Sequence, residues 1–462
     1  MRVARCLRGP SSVPALVLVG LALVAPSLTA CEKASHDNID KWLSTEKGVE
    51  KLTKTLRDSG ESAELRAHAA QNLVIHVENN FPVVRDAFED MAPDERHEVM
   101  TELTPRLWES ARIAREKDVP TPVQAQAKDA LFELRAYADD ATRRRIDGYV
   151  VEWLAGGHYE GRAAVGRVSG RTIVRELGPL AAPKLLEAAR RLLIRPPDTE
   201  GARVMVGDEL LAALASTGDI DAAALLVDMV VKDYKDTTLP GRALSALHEA
   251  YVQPVSGQPV AARPGLVGQI DRLGEVARNE NLPGVMNNDA VDLIAVIGPP
   301  ECIPPLVEMA RLPSAQQSFR WVGAQRGLRC GGAQAMVPIL EAMPDTIVYE
   351  RALLEKYVYK EILAAPGAPK VAEQARQLLS SKSWIARVTG IEVLGALKQR
   401  ATAAQDAERI RKLASDRMVL KGWWGAQKDA PAGKKKPDPT IGQIAVETAG
   451  GLQALAKGPE SK

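Results

Sequence analysis

From Lys41 onward, apolar residues recur three and four positions apart, with charged residues on the positions between them. That spacing lays one apolar stripe along a helix, whereas a strand would alternate with a period of two. Segments 63–78, 82–91, 94–115, 123–137 and 141–154 show it clearly; Leu131, Leu134 and Ala138, for example, share a face. Proline and glycine separate these segments, as expected where proline opens a helix and glycine follows its end. The pattern predicts an all-α chain.

A longer period is superposed from about residue 150. Two aliphatics followed by an acid occur at Val150-Val151-Glu152, Leu185-Leu186-Glu187, Leu226-Val227-Asp228, Leu306-Val307-Glu308 and Ile339-Leu340-Glu341. Leu266-Val267-Gly268 fills the gap without its acid, and successive starts lie 35, 41, 40, 40 and 33 residues apart. Gly218, Gly298 and Gly331 stand eight residues before their aliphatic pair, and Gly178 seven before. The sequence therefore resembles the HEAT repeat family, whose units of about 40 residues are antiparallel helix pairs. The best individual units are 289–312 and 384–414; the likeness covers 150–420, while 41–150 reads as helical hairpins without the pattern. It implies an α-solenoid, because one pair cannot bury its apolar face alone and neighbouring pairs must stack. Glycine between the helices suits a left-handed cap, and Pro183, Pro304-Pro305 and Pro338 sit near the second-helix starts.

The N-terminus follows other rules. Arg2, Arg5 and Arg8 precede an apolar run, Val13 to Ala25, that is short for a membrane span and reads as an export signal. Leu28-Thr29-Ala30-Cys31 resembles the bacterial lipobox, in which the cysteine receives diacylglycerol and becomes the first mature residue. An ordinary signal peptide cleaved after Ala30 is the alternative. One acyl chain holds a protein marginally, at about 0.8 kcal/mol per buried methylene, and two or three hold it durably. Glu32, in place of the aspartate that tends to retain such proteins at the inner membrane, points to the outer membrane, facing the periplasm. The expected organisation is a signal peptide (1–30), a polar tether from lipidated Cys31 (31–40) and N-terminal hairpins (41–150). A HEAT-like array (151–425), a Lys/Pro loop (426–439) and a last helix (440–457) complete it.

Charge narrows the partners. The 60 basic and 59 acidic residues become 57 and 59 without residues 1–30, so no basic surplus calls for nucleic acid. After Ala30 no apolar run approaches about 18 residues. Cys302 and Cys330 are the thiols left in an oxidising compartment once Cys6 departs and Cys31 is lipidated. Superposing Leu306-Val307 on Ile339-Leu340 puts Cys330 at the place of Ile297, so both cysteines lie on the inter-helix side of consecutive units. Helices about 8–10 Å apart, joined by loops, reach the roughly 4.4–6.8 Å that a disulfide needs. A Cys302–Cys330 bridge is expected, with two separate buried thiols as the competing reading.

Candidate chemistry is sparse. His97 and His248 each precede a glutamate, but Thr101 and Val252 stand where a zinc-protease motif needs its second histidine. His68 and His76 are two turns apart, too far for one metal, which leaves His158 in the glycine-rich stretch 156–170 as the histidine to inspect. That stretch looks too rich in glycine for a helix. Its 161–170 part has the glycines of a phosphate cradle without the lysine. Asp139-Asp140 reads as helix-end charge, and Arg143-Arg144-Arg145 as a solvated face or an anchor for acidic partners. Trp423 and Trp424 are adjacent and cannot both face one helical core, so they are candidates for an exposed partner-binding anchor. Two further breaks in the pattern are an insertion at 253–265 and the loop after Gly425. No catalytic residue, metal or cofactor is expected. The expected role is a lipid-anchored scaffold for a protein or peptide partner. A catalytic insert on the array and a structural part of a cell-envelope complex are the alternatives.

Overall fold

The computed structural model describes residues 33–76, 80–114, 119–194, 206–232, 237–253, 264–313, 317–345, 351–424 and 436–458. Cys31 with its lipobox, most of the 253–265 insertion and residues 425–435 lie outside the described residues. Within them the chain is all-α, and one isolated pairing of Val419 with Thr440 is the extent of β-type contact.

Local chemistry sets the helix starts. Ser62 accepts the Leu65 N–H ahead of Ala63–Ile75, and Asp139 accepts the Thr142 N–H ahead of Asp140–Ala155. Thr121 and Gln124 cap each other's backbone around Pro122, which opens Pro122–Leu134. Between these run Phe81–Asp90 and Pro93–Ala111, and the apolar stripes of all five meet: Leu73, Phe88, Leu103, Leu107, Leu131, Ile146 and Leu154 are buried.

From residue 170 the helices pack in two files. Gly170–Leu177, Asp208–Ser216, Leu239–Tyr251, Gly284–Ile297 and Gln317–Gly331 touch one another in that order. Beside them run Ala182–Ile194, Ile220–Val231, Ile270–Arg278, Ile303–Ala310, Ala333–Ala342 and Ala368–Leu378. Trp384–Leu397, Ala403–Arg411 and Ile441–Lys457 follow. Every substantial helix contact joins near neighbours in chain order. Leu185, Leu226, Val227, Leu306, Ile339 and Leu340, from the recurring pairs, are core residues of the second file, whereas the Leu266-Val267 pair departs from the pattern: it lies on the short helix Pro264–Val267, with Leu266 buried and Val267 40% exposed.

The glycines before those pairs hold left-handed backbone at Gly178, Gly218 and Gly298, with φ of +56°, +65° and +96°. In the next unit Gly332 takes that place at +54°, not Gly331. Gly331 instead ends a stripe with Gly323 and Gly327 along Gln317–Gly331, against Ile303, Leu306 and Met309 of the preceding helix. One end of that junction is covalent: Cys302, at the start of Ile303–Ala310, and Cys330, in the last turn of Gln317–Gly331, form a disulfide with Cα atoms 6.7 Å apart.

Residues 156–170 depart from expectation by forming a short helix, Tyr159–Ala163. Burial outweighs propensity there: Tyr159 and Ala163 are in the core, and Arg162 donates to the Trp153 carbonyl at 2.8 Å. Gly170 lacks the Cβ that would collide with Ala163, which lets the next helix begin against it.

The glycine stripe can be tested. In Gly323→Ala the new methyl overlaps Met309 Cβ. Overpacking costs about 1–3 kcal/mol, against a helix-propensity gain of about 1 kcal/mol. The expected result is a lower Tm in thermal denaturation; an unchanged or raised Tm counts against a tight interface.

Candidate functional site

The start of Phe81–Asp90, the end of Pro122–Leu134 and the turn after it, and Arg167 on the 164–169 loop enclose a cleft of about 740 Å³. Its apolar wall is Phe81, Phe132 and Tyr137; its charges are Arg85, Arg135, Arg143, Arg167, Glu133 and Glu176. Arg135 lies three residues after Phe132, and its guanidinium sits 4.7 Å from that ring's centroid. Arg167 lies 4.8 Å from the Phe81 centroid. A guanidinium held flat over a ring keeps its edge N–H groups for anions. Arg135 donates to Asp147 at 3.1 Å and Glu176 at 2.8 Å, and Arg167 to Glu133 at 3.0 Å. Burial pushes the Glu133 carboxyl above its ordinary value, against the pull of Arg167.

Arg143 differs from its neighbours. It is exposed and donates to two carbonyl oxygens, of Arg135 at 3.3 Å and Ala138 at 3.4 Å. Among the described residues no carboxylate stands within ion-pair distance of it. The lining thus carries four arginines against two glutamates, with an aromatic floor and no histidine, serine, threonine or cysteine. From outside the lining Asp147 pairs with Arg135, and Asp86 and Glu89 with Arg85, which sets Arg143 apart from the other three arginines.

The neighbouring loop explains how Arg167 is positioned. Lys128 and Asp129 are both buried on Pro122–Leu134 and contact each other. Lys128 Nζ donates to the carbonyls of Val165 at 3.1 Å and Val168 at 2.7 Å, while Asp129 accepts the N–H groups of Arg167 and Val168. A Cβ at Gly166, where φ is +93°, would press on that carboxylate. The glycine-rich loop is therefore a nest already filled by an internal carboxylate, which removes its reading as a phosphate cradle.

The residues singled out in the sequence are scattered. His158 is exposed and accepts the Gly161 N–H at 3.2 Å, a helix cap. His97 lies 3.6 Å from Asp139. His248 lies 3.8 Å from Asp289 and 3.6 Å from Asp292; Asp292 raises its imidazole above the ordinary value, against burial. Among the described residues no three His, Cys, Asp or Glu side chains converge in a way that could hold a metal. Elsewhere Trp42, Trp153, Trp321 and Trp384 are buried, and Trp108 stacks on Tyr149 with centroids 4.6 Å apart.

The tryptophan pair requires a correction. Trp423 is 2% exposed, with the Arg351 guanidinium over its ring, and is core rather than anchor. Trp424 is 40% exposed; its Nε1–H donates to the Pro437 carbonyl at 3.0 Å and Lys436 covers its ring. The adjacent indoles meet edge to face. Arg85, Arg135 and Arg167 escaped the sequence reading because the cleft joins segments up to 95 residues apart, from Phe81 to Glu176. Only Arg143 carried a signal, as part of a basic triplet.

If Asp129 holds the loop, Asp129→Ala strands the buried ammonium of Lys128. Breaking one partner of a buried pair costs about 3–5 kcal/mol. Denaturant melts should show that loss, and hydrogen exchange should speed up at 164–169; a change under about 1 kcal/mol would show that the pair holds nothing. A scan of the chain against protein-family models finds no match, and no curated protein matches it in sequence.

Proposed function

We propose that this chain is a lipid-anchored cell-envelope protein whose helix pairs form a HEAT-like α-solenoid, a non-catalytic scaffold for a protein partner. The observation that carries the reading is the two-file packing, in which each helix pair covers its apolar side only with its neighbours. An array of that kind gives a long surface for a partner and is free to bind along it. The lipobox at 28–31 supports the anchor, and the Cys302–Cys330 disulfide is the kind of bond an oxidising compartment maintains. Glu32 favours the outer membrane, on the periplasmic side. The arginine cleft is the proposed seat for an acidic segment of the partner, because Arg143 in its lining has no carboxylate within ion-pair distance among the described residues.

The anchor and the seat are tested separately. Cys31→Ser should release the protein from membranes or leave it as uncleaved precursor. Mass spectrometry showing an unmodified Cys31, or cleavage elsewhere, would sink the lipoprotein reading. For the seat, a photo-crosslinking amino acid is placed at Ala136 of the cleft and, as a control, at exposed Glu187. A discrete adduct is expected from position 136 alone and should disappear in Arg143→Glu. An adduct that survives the charge reversal, or equal adducts from both positions, overturns it.

A further inference from the structure

His36 opens the first described helix, His36–Trp42, and His68 lies on Ala63–Ile75, which packs against it. Their Nδ1 atoms are 2.8 Å apart. The ring centroids are 5.0 Å apart, so centroid and nitrogen separations differ by 2.2 Å, close to two ring radii. The two nitrogens therefore point almost straight at each other, the geometry of a hydrogen bond between rings. The outer nitrogens are also engaged: His36 Nε2 is 3.3 Å from Glu64 Oε1, and His68 Nε2 is 2.9 Å from Asp40 Oδ1. Those same oxygens accept from Arg106 at 3.1 Å and from Asn72 at 3.1 Å.

Counting protons fixes the charge of this chain of contacts. Three contacts run through four ring nitrogens, and each needs one proton between the facing atoms. Two neutral imidazoles carry two ring protons. All three contacts are made only when the pair holds three, which is one positive charge. A fourth proton would set two N–H groups against each other.

We propose that His36 and His68 share a single proton, and that this imidazole–imidazolium pair is a pH-sensitive latch fastening the first helix to the body of the protein. Three charged groups face it: Asp40 on the first helix, Glu64 on the helix of His68, and Arg106 on Pro93–Ala111. Two carboxylates against one guanidinium favour keeping the single positive charge. Entry of a second is resisted by repulsion between two adjacent cationic rings; burial, together with Arg106 and His36, holds the His68 imidazole below its ordinary value against the pull of Asp40. As pH rises and the shared proton leaves, one contact must go. Either two bare lone pairs face each other, or one ring turns its proton inward and presents a lone pair to its carboxylate. As pH falls and both rings become cationic, the central contact goes instead. The latch is thus strongest in a window and weakens on both sides of it. His36 stands five residues after Cys31, so on the lipid-anchor reading the latch sets how closely the body follows its tether. The latch itself does not depend on that reading.

The test uses the intact protein in detergent with ¹⁵N-labelled histidine. Imidazole ¹⁵N spectra across the pH range should show the two rings titrating as a coupled pair, in two steps more than about one pH unit apart. Hydrogen exchange of 36–42, corrected for intrinsic rate, should be about tenfold slower inside the window than above it, the worth of one hydrogen bond. In His36→Gln, at a half-exposed position, that pH dependence should vanish. Independent titration of both rings near their ordinary value, or the same pH dependence in His36→Gln, overturns the proposal. Failure of the Cys31 experiment leaves these outcomes untouched.

Discussion

A helix with a single apolar stripe leaves a two-helix unit uncovered on one side, and every larger feature of this protein follows from covering it. Leu226 and Val227 are adjacent on one helix, point in different directions, and are both buried because neighbours stand on two sides of Ile220–Val231. Burying one such side chain is worth about 1.5–3 kcal/mol, more than any surface charge pair supplies. Stacking is thus the source of stability, and the order of helices follows the order of the chain. The glycine stripe of Gln317–Gly331 runs along one junction of that stack, and the Cys302–Cys330 bridge closes it at the Gly331 end.

Polar links then fix how each unit meets the next. Arg171 donates to Glu209 and Glu249, Arg272 to Asp228, Arg326 to Asp292, Arg329 to Glu361, and Arg376 to Asp406. Arg171 reaches Glu249 across 78 positions, and the other links join residues 30 to 44 positions apart. Against the cost of burial, Arg376 and Thr402 hold the Asp406 carboxyl below its ordinary value. Most of these groups keep contact with solvent, where an ion pair contributes about 0–1 kcal/mol. Their value lies in geometry: an arginine fork accepts one carboxylate position and rejects a helix shifted by a turn.

This division explains what the sequence discloses. Most helix positions, the left-handed glycines at 178, 218 and 298, and the aliphatic pairs other than Leu266-Val267 are local or periodic, and they stand in the chain where the structure has them. The adjacency of Trp423 and Trp424 says only that both rings cannot face one helical core. Which one is buried depends on Arg351, 72 residues earlier, and no local pattern carries it. The arginine cleft and the His36–His68 contact have the same character. His68 reads as one of two histiditic positions on a helix until His36, 32 residues before it, is folded against its ring.

Buried charge is unevenly shared between the two parts of the chain. Arg66, His68, Lys128, Asp129, Asp147 and Arg162 are buried before residue 170, whereas Arg320, Glu361 and Asp406 are the buried charges described after it. A buried charge carries a desolvation cost that only well-placed partners offset, so such groups specify one arrangement and penalise the rest. The periodic part can rely on apolar stripes because its units repeat a solution. The N-terminal hairpins have no repeat to guide them, and polar contacts such as Lys128 with the 164–169 loop do that work. The same contacts leave arginine edges and paired imidazoles at defined positions. The arginine cleft and the paired imidazoles accordingly lie in or beside the part of the chain that lacks the period.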